Sequence, residues 1–312
     1  MVGWHLLLLL LVEVALYGAL GWHLRIERGW SLECAIGIAV GIYIGVRVIL
    51  IAAEFALARW KGSAIPENLR ISPAGWIAMY LRELGGWLLM FSMVMPFVPA
   101  RRSVIDRPAS VDRALRPILL VHGLGCNRGN WFWFRRELET RGYRVFTVEC
   151  TPPLTLVGNY APQVALAIDE ILEATAANDL VLIGHSMGGL VCRAYLDRYG
   201  SAKVAHVITM GTPHLGTWMA RLGVGPNVRD MELDSAWLAG LREREAARPA
   251  RIRPEFTCLF THHDNLVTPP TNAVLPGSRP IELSGIGHLS LLLSRDVIRH
   301  VAAVLEASGN IR

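Results

Sequence analysis

Ser186 stands in Gly184-His185-Ser186-Met187-Gly188, between a short apolar run at 180–183 and a helix-like stretch at 190–199. A serine hydroxyl is a poor nucleophile unless a neighbouring base takes its proton and a third group orients that base. The pentapeptide is suited to the purpose. A strand running through a sharp Gly-x-Ser-x-Gly turn into a helix lifts the serine to the carboxyl edge of a sheet. The helix N-terminus behind it favours developing negative charge. A side chain at Gly184 or Gly188 would clash where strand and helix approach, so both must be glycine.

The other parts of such a site follow later runs of apolar sequence. After 256–260 comes Thr261-His262-His263-Asp264-Asn265-Leu266-Val267, and after 281–283 comes Ser284-Gly285-Ile286-Gly287-His288-Leu289. The chain order serine, acid, histidine, with each later member just past a strand, makes Asp264 the acid and His288 the base. Acyl transfer also needs two donors for the tetrahedral oxyanion. One is supplied by the residue after the nucleophile, Met187 N–H, and one by an early strand–helix loop, here Leu124 N–H in Val121-His122-Gly123-Leu124-Gly125. His122 is expected to brace that loop, His185 to pack inside the turn, and Cys126 to behave as a small hydrophobe.

The elements that must position these residues alternate. Runs at 118–121, 144–148, 180–183, 204–210, 256–260 and 280–283 are short, apolar and largely β-branched, and helical stretches lie at 132–140, 161–176 and 190–199. That alternation predicts an α/β domain with a parallel sheet wrapped by helices over 117–312. Between about 216 and 255 the strand pattern stops. Two helical stretches there, at 217–222 and 235–245, belong to a lid-like insertion whose Trp218, Met219, Met231, Trp237 and Leu238 supply apolar surface, placed to wall an acyl chain or merely to pack.

His122-Gly123-Leu124-Gly125, the Ser186 pentapeptide, Gly211-Thr212-Pro213-His214-Leu215-Gly216 and Asp264-Asn265-Leu266-Val267 together resemble bacterial lipases and esterases of the α/β-hydrolase superfamily. Gly285-Ile286-Gly287-His288-Leu289-Ser290-Leu291-Leu292 is similar to the histidine motif of the smallest such lipases. The resemblance runs from Ile118 to about Leu305. It implies the α/β-hydrolase fold, Ser186 as nucleophile, Asp264 as acid, His288 as base and Leu124 with Met187 as oxyanion donors. It carries over no calcium site, and neither a metal nor a cofactor is expected.

The first 100 residues depart from that family. Hydrophobic residues make up 52% of the chain, with the excess concentrated there. Two transmembrane helices are expected at about 4–22 and 34–57, flanked by Trp4, Trp22, Trp30 and Trp60 as interfacial aromatics. A third apolar segment, 76–97, is interrupted by Arg82-Glu83 and Gly85-Gly86. It reads as interfacial or spanning, the interruptions favouring the interface. Glu13, Arg47 and Glu54 are expected to pair within the helices, Arg47 with either carboxylate. A polar linker is expected over 101–116. Since every proposed catalytic residue lies beyond it, the catalytic domain is expected to work without the membrane region.

The net charge of +5 is almost wholly arginine. No nucleic-acid motif accompanies it, so a collar facing anionic lipid is the better reading. The five scattered cysteines lack disulfide or zinc spacing. Arginine placement puts the catalytic domain on the cytoplasmic face of a bacterial inner membrane, with the chain crossing more than once. The expected partners are the bilayer and a lipid or acyl-ester substrate, and the oligomeric state is left open. The function expected is ester hydrolysis through an acyl-serine. The alternatives are a thioesterase or acyltransferase with the same triad, and a non-catalytic membrane binding or permease-like component.

Overall fold

Ile118–Val121, apolar and buried throughout, forms strand β1 of a computed structural model that describes residues 2–98, 115–248 and 254–309. Val145–Val148 (β2), Leu180–His185 (β3), Val204–Met210 (β4), Glu255–Thr261 (β5) and Arg279–Leu283 (β6) complete a six-stranded sheet in the order β2-β1-β3-β4-β5-β6. Every pairing is parallel. The near-continuous apolar runs of β1 to β4 are therefore strands covered on both faces, whereas the edge strand β6 is largely exposed. Phe132–Thr140 (α4), Ala161–Thr175 (α5), Met187–Tyr199 (α6) and Arg295–Ala307 (α9) supply that cover. The strand order reverses between β1 and β3, and a crevice at the carboxyl end of such a reversal is where open α/β sheets bind ligands.

The expected helix at 190–199 begins earlier, at Met187. Gly188 and Gly189 lower intrinsic helix propensity, but packing overrides it. A Cβ on Gly188 would collide with Val121 O and one on Gly189 with Thr212 Oγ1. The expected linker 101–116 lies outside the described residues except for its last two. Leu115 is buried, and Arg116 is ion-paired to Asp179 at 2.7 Å, so both pack with the sheet domain.

At the N-terminus, Val2–Arg28 (α1) and Leu32–Lys61 (α2) form an antiparallel hairpin. Ser31 caps α2 by accepting from Cys34 N at 3.2 Å. Large apolar side chains are exposed along both helices, among them Leu8, Val12, Leu16, Ile36, Val40 and Ile44. A third helix, Pro73–Trp87 (α3), continues as a π-helical stretch Leu88–Val94 and a 3₁₀ turn Met95–Phe97. By length and composition all three segments could cross a membrane.

The third segment is wedged between the hairpin and the sheet domain. On one side Tyr80 Oη donates to Val48 O at 2.6 Å, Arg47 lies 5.2 Å from the Trp87 ring, and Tyr43 and Ser92 share a hydrogen bond. On the other, Met79, Glu83, Gly86 and Met90 repeat at helical spacing and are buried. Met90 and Met95 join Ile118, Leu120, Trp131 and Ile183 in one continuous core. Inside the hairpin, Arg47 pairs with Glu13 at 2.6 Å. Glu54, expected as an equal candidate for Arg47, instead accepts from Asn265 Nδ2 at 2.8 Å. The separability expected of the catalytic domain thus meets a shared core and direct polar ties.

Candidate active site

The local structure around Ser186 begins with its backbone. Ser186 takes φ 54° and ψ −128° between β3 and α6, one of two non-glycine residues with positive φ among those described. Such a conformation costs of order 1–3 kcal/mol and persists only where the surroundings over-determine it. Here Ser186 N donates to Met210 O at 2.9 Å and Gly189 N to Ser186 O at 3.1 Å. A Cβ on Gly184 would lie 2.5 Å from Gly189 N, which is the close strand–helix approach that the motif requires. Ser186 therefore caps a 13-residue helix whose first amides, Met187 N–H included, have no partner within the helix.

The loop after β1 lies against the serine. A Cβ on Gly123 would stand 2.9 Å from Ser186 Cβ, so only glycine lets the Leu124 amide come so near. His122 braces this loop as expected. Its Nδ1–H donates to Gly123 O at 3.0 Å, and its Nε2 accepts from Cys150 N at 3.0 Å. Burial lowers its pKa, which keeps the ring neutral and fit for both roles. Burial pushes the Cys126 thiol up to about 12, so it is no thiolate nucleophile.

Asp264 and His288, brought from the loops after β5 and β6, meet in the buried interior. His288 Nδ1 lies 2.9 Å from Asp264 Oδ2. Asp264 Oδ1 also accepts from Leu266 N and Val267 N at 2.8 Å each, which fixes the carboxylate. Gly211 (φ 56°) leaves room for the pair, since a Cβ there would fall 3.1 Å from His288 Nδ1. Burial works to lower the His288 pKa. The charge and hydrogen bond of Asp264, with Glu83 and Glu54 nearby, outweigh it and raise the pKa overall. A proton held on Nδ1 by Asp264 leaves Nε2 as the basic atom. His185 Nε2–H donates to His288 O at 3.1 Å and its ring packs 4.7 Å from that of His288, so it packs behind the turn and also ties the histidine loop.

Ser186, Leu124 and His288 line one cavity of about 210 Å³. Its apolar wall has two sources. Met219, Ala220, Val228 and Met231 come from the insertion, while Ile51, Trp87 and Phe91 come from the N-terminal helices. The insertion comprises a 3₁₀ turn Trp218–Leu222 and helices Pro226–Asp230 (α7) and Ala236–Ala246 (α8). It is tied down. The fully buried Arg193 of α6 makes two hydrogen bonds to Glu245 at 2.9 and 2.7 Å, and Val157 N donates to Asp230 at 2.8 Å. It lines one side of the cavity.

Sequence reasoning missed Glu83, which reaches the histidine loop from α3. Its Oε1 accepts from Leu289 N at 2.7 Å, and its Oε2 accepts from Ser290 N at 2.9 Å and Ser290 Oγ at 2.6 Å. Charge bookkeeping inside the apolar helices could have found it. Within the three apolar segments Glu13, Glu54 and Glu83 outnumber the arginines Arg47 and Arg82, so at least one carboxylate had to find donors elsewhere.

A family model for palmitoyl protein thioesterases matches residues 117–239. Triacylglycerol lipases of Pseudarthrobacter phenanthrenivorans and Burkholderia plantarii are each 33% identical over 112 residues, covering 33% of this chain and 35% and 31% of theirs. The chain thus spans about a third of the length of these curated relatives. The mature form of a Bacillus licheniformis lipase superposes with a TM-score of 0.57 at 20% identity, over 64% of this chain and 96% of that one.

Proposed function

We propose that this chain, an α/β-hydrolase of the lipase and esterase type, is a membrane-associated serine hydrolase of long-chain acyl esters drawn from the bilayer. Ser186 Oγ attacks the acyl carbonyl while His288 Nε2 takes its proton. Met187 and Leu124 N–H groups stabilise the oxyanion, which is the step where fixed donors contribute most. The leaving alcohol departs with the proton from His288. Water, activated by the same imidazole, then releases the acid from the acyl-serine. Asp264 holds the ring and its charge throughout. The observation that carries this reading is the strained Ser186 elbow opening into the same apolar cavity as His288, which is paired with the buried Asp264.

The cavity wall argues for lipid. Ile51, Trp87 and Phe91 belong to helices whose other faces expose apolar side chains, so an acyl chain need not cross water to enter. Leu154, Leu156, Leu222 and Val224 add exposed apolar surface from the catalytic domain. In this reading α1 and α2 insert in the bilayer, and α3, with one face on the catalytic domain, lies at the membrane surface. A second reading, favoured by the thioesterase family match, keeps the triad and replaces the ester by an acyl thioester. Purified full-length protein should be labelled by a fluorophosphonate and turn over long-chain p-nitrophenyl esters, monoacylglycerols or phospholipids. Faster turnover of matched acyl thioesters would select the second reading, and failure to label would sink both.

His288→Ala should lower kcat ~10⁶-fold and Asp264→Asn ~10⁴-fold, since the acid orients the base and holds its tautomer. A silent Asp264→Asn would mean that another carboxylate holds the ring. Orientation can be read separately. The short arginine-bearing flank after α2 supports a cytoplasmic catalytic domain. Green fluorescent protein fused after Arg312 should fluoresce, and alkaline phosphatase at the same point should be inactive. The reverse pattern would put Ser186 on the outer side.

A further inference from the structure

The histidine loop is held from outside its own domain. His288 N donates to Asn265 Oδ1 at 2.9 Å, and Asn265 Nδ2 donates in turn to Glu54 Oε2 on α2 at 2.8 Å. The next two amides, Leu289 N and Ser290 N, donate to Glu83 on α3 at 2.7 and 2.9 Å. They open a 3₁₀ turn, Leu289–Leu292, whose leading N–H groups have no partner within the turn. Three consecutive amides, beginning with that of His288, therefore depend on two carboxylates of the N-terminal helices.

Glu83 is built into this place. It is 3% exposed, and it also accepts from Ser290 Oγ at 2.6 Å. The facing residue is Gly287, where a Cβ would stand 2.5 Å from Glu83 Oε2, so the loop is glycine just where the carboxylate needs the space. All three of its partners donate, which favours the ionised carboxylate, against burial, which pushes its pKa up. A 3₁₀ turn can be capped by a local serine or by water. A buried charge imported from position 83 is a costly way to do only that.

We infer that Glu83, assisted by Glu54 through Asn265, is a positioning residue for His288, so that the membrane-region helices hold the general base in register with Ser186. The inference rests on the reading of Ser186, Asp264 and His288 as the triad. It adds that the loop carrying the base is held by residues of the N-terminal helices, through hydrogen bonds to its backbone and to Asn265. Small displacements of a base from its nucleophile are expensive, of the order of 10²-fold in rate for about 1 Å.

The test uses full-length protein in detergent, followed by rates of fluorophosphonate labelling at Ser186 and by kcat and KM for a p-nitrophenyl ester. Glu83→Ala should lower kcat ~10²-fold with KM nearly unchanged. Glu83→Gln keeps the size and one acceptor oxygen, so it should lose less. It should also move the acid limb of kcat/KM to lower pH. The groups facing His288 are Asp264, Glu83, Glu54 and His185, and three of these are carboxylates. Removing one anion destabilises the imidazolium, so the base stays neutral to lower pH. Glu54→Gln, whose amide oxygen can still accept from Asn265, should shift the limb the same way and lose less kcat than Glu83→Ala.

A role in folding alone would leave that limb in place. If Glu83→Ala does not accumulate folded, the isosteric Glu83→Gln decides. Wild-type kcat, labelling rate and acid limb in folded Glu83→Gln would overturn the inference. A wild-type protein that is not labelled at Ser186 would instead overturn the reading on which it rests.

Discussion

Ser186→Ala should abolish fluorophosphonate labelling and lower ester hydrolysis ~10⁶-fold, about 8 kcal/mol of transition-state stabilisation. The size of the effect follows from the absence of a substitute. Among the described residues lining the cavity, only Cys126 and Thr217 offer another thiol or hydroxyl. Burial keeps Cys126 as a thiol, with its pKa raised to about 12. Thr217 Oγ1 donates to Leu266 O at 2.6 Å and accepts from Thr268 N at 2.9 Å, so its proton and lone pair are both engaged. The fold should be unaffected, since alanine meets the same φ of 54° as serine and removes one atom from a half-buried position. KM should change little, because the apolar wall is untouched. Residual turnover would come from the oxyanion donors and from substrate binding. Persistent labelling of the variant would place the nucleophile elsewhere.

The residues of that site were legible in the sequence because each is local to a strand end. Apolar β-branched runs locate the strands, and Ser186, Asp264 and His288 follow them within a few positions. What holds the site was not legible, for a physical reason. The Glu83–Leu289 contact spans 206 residues, and no local pattern carries it. Hydropathy also reads an apolar helix face as facing lipid, whereas Met79, Met90 and Met95 face protein. Apolarity cannot distinguish the two, since hydrocarbon tails and a protein core are similar environments. The charges were more informative than the apolar residues around them. Arg47 was visibly in need of a partner and found Glu13; Glu54 and Glu83 remained, and both lead to the histidine loop.

A chain beginning at Val111, without the N-terminal helices, should therefore be poorly soluble and, in whatever fraction remains folded, nearly inactive. Two effects act together. The first is exposure. Met90 and Met95 are completely buried in the same core as Ile118, Leu120 and Ile183. Burial of a methionine of this kind contributes ~1.5–3 kcal/mol, so stripping the pair from the domain consumes a large share of ordinary domain stability. It also uncovers apolar surface beside the sheet, which promotes aggregation. The second is loss of position. Water can replace Glu83 as an acceptor for Leu289 N and Ser290 N, so the amides need not remain unsatisfied, but water does not fix the loop that carries His288. The cavity would lose Ile51, Trp87 and Phe91 as well, leaving long acyl chains half exposed. Short-chain ester hydrolysis isolates the positional effect, because such substrates need little of that wall. It should fall at least as far as in Glu83→Ala, ~10²-fold in kcat. A monodisperse, soluble protein from Val111 onward, with full kcat on a short-chain ester, would show that the catalytic domain is self-sufficient and the helices serve as anchor alone.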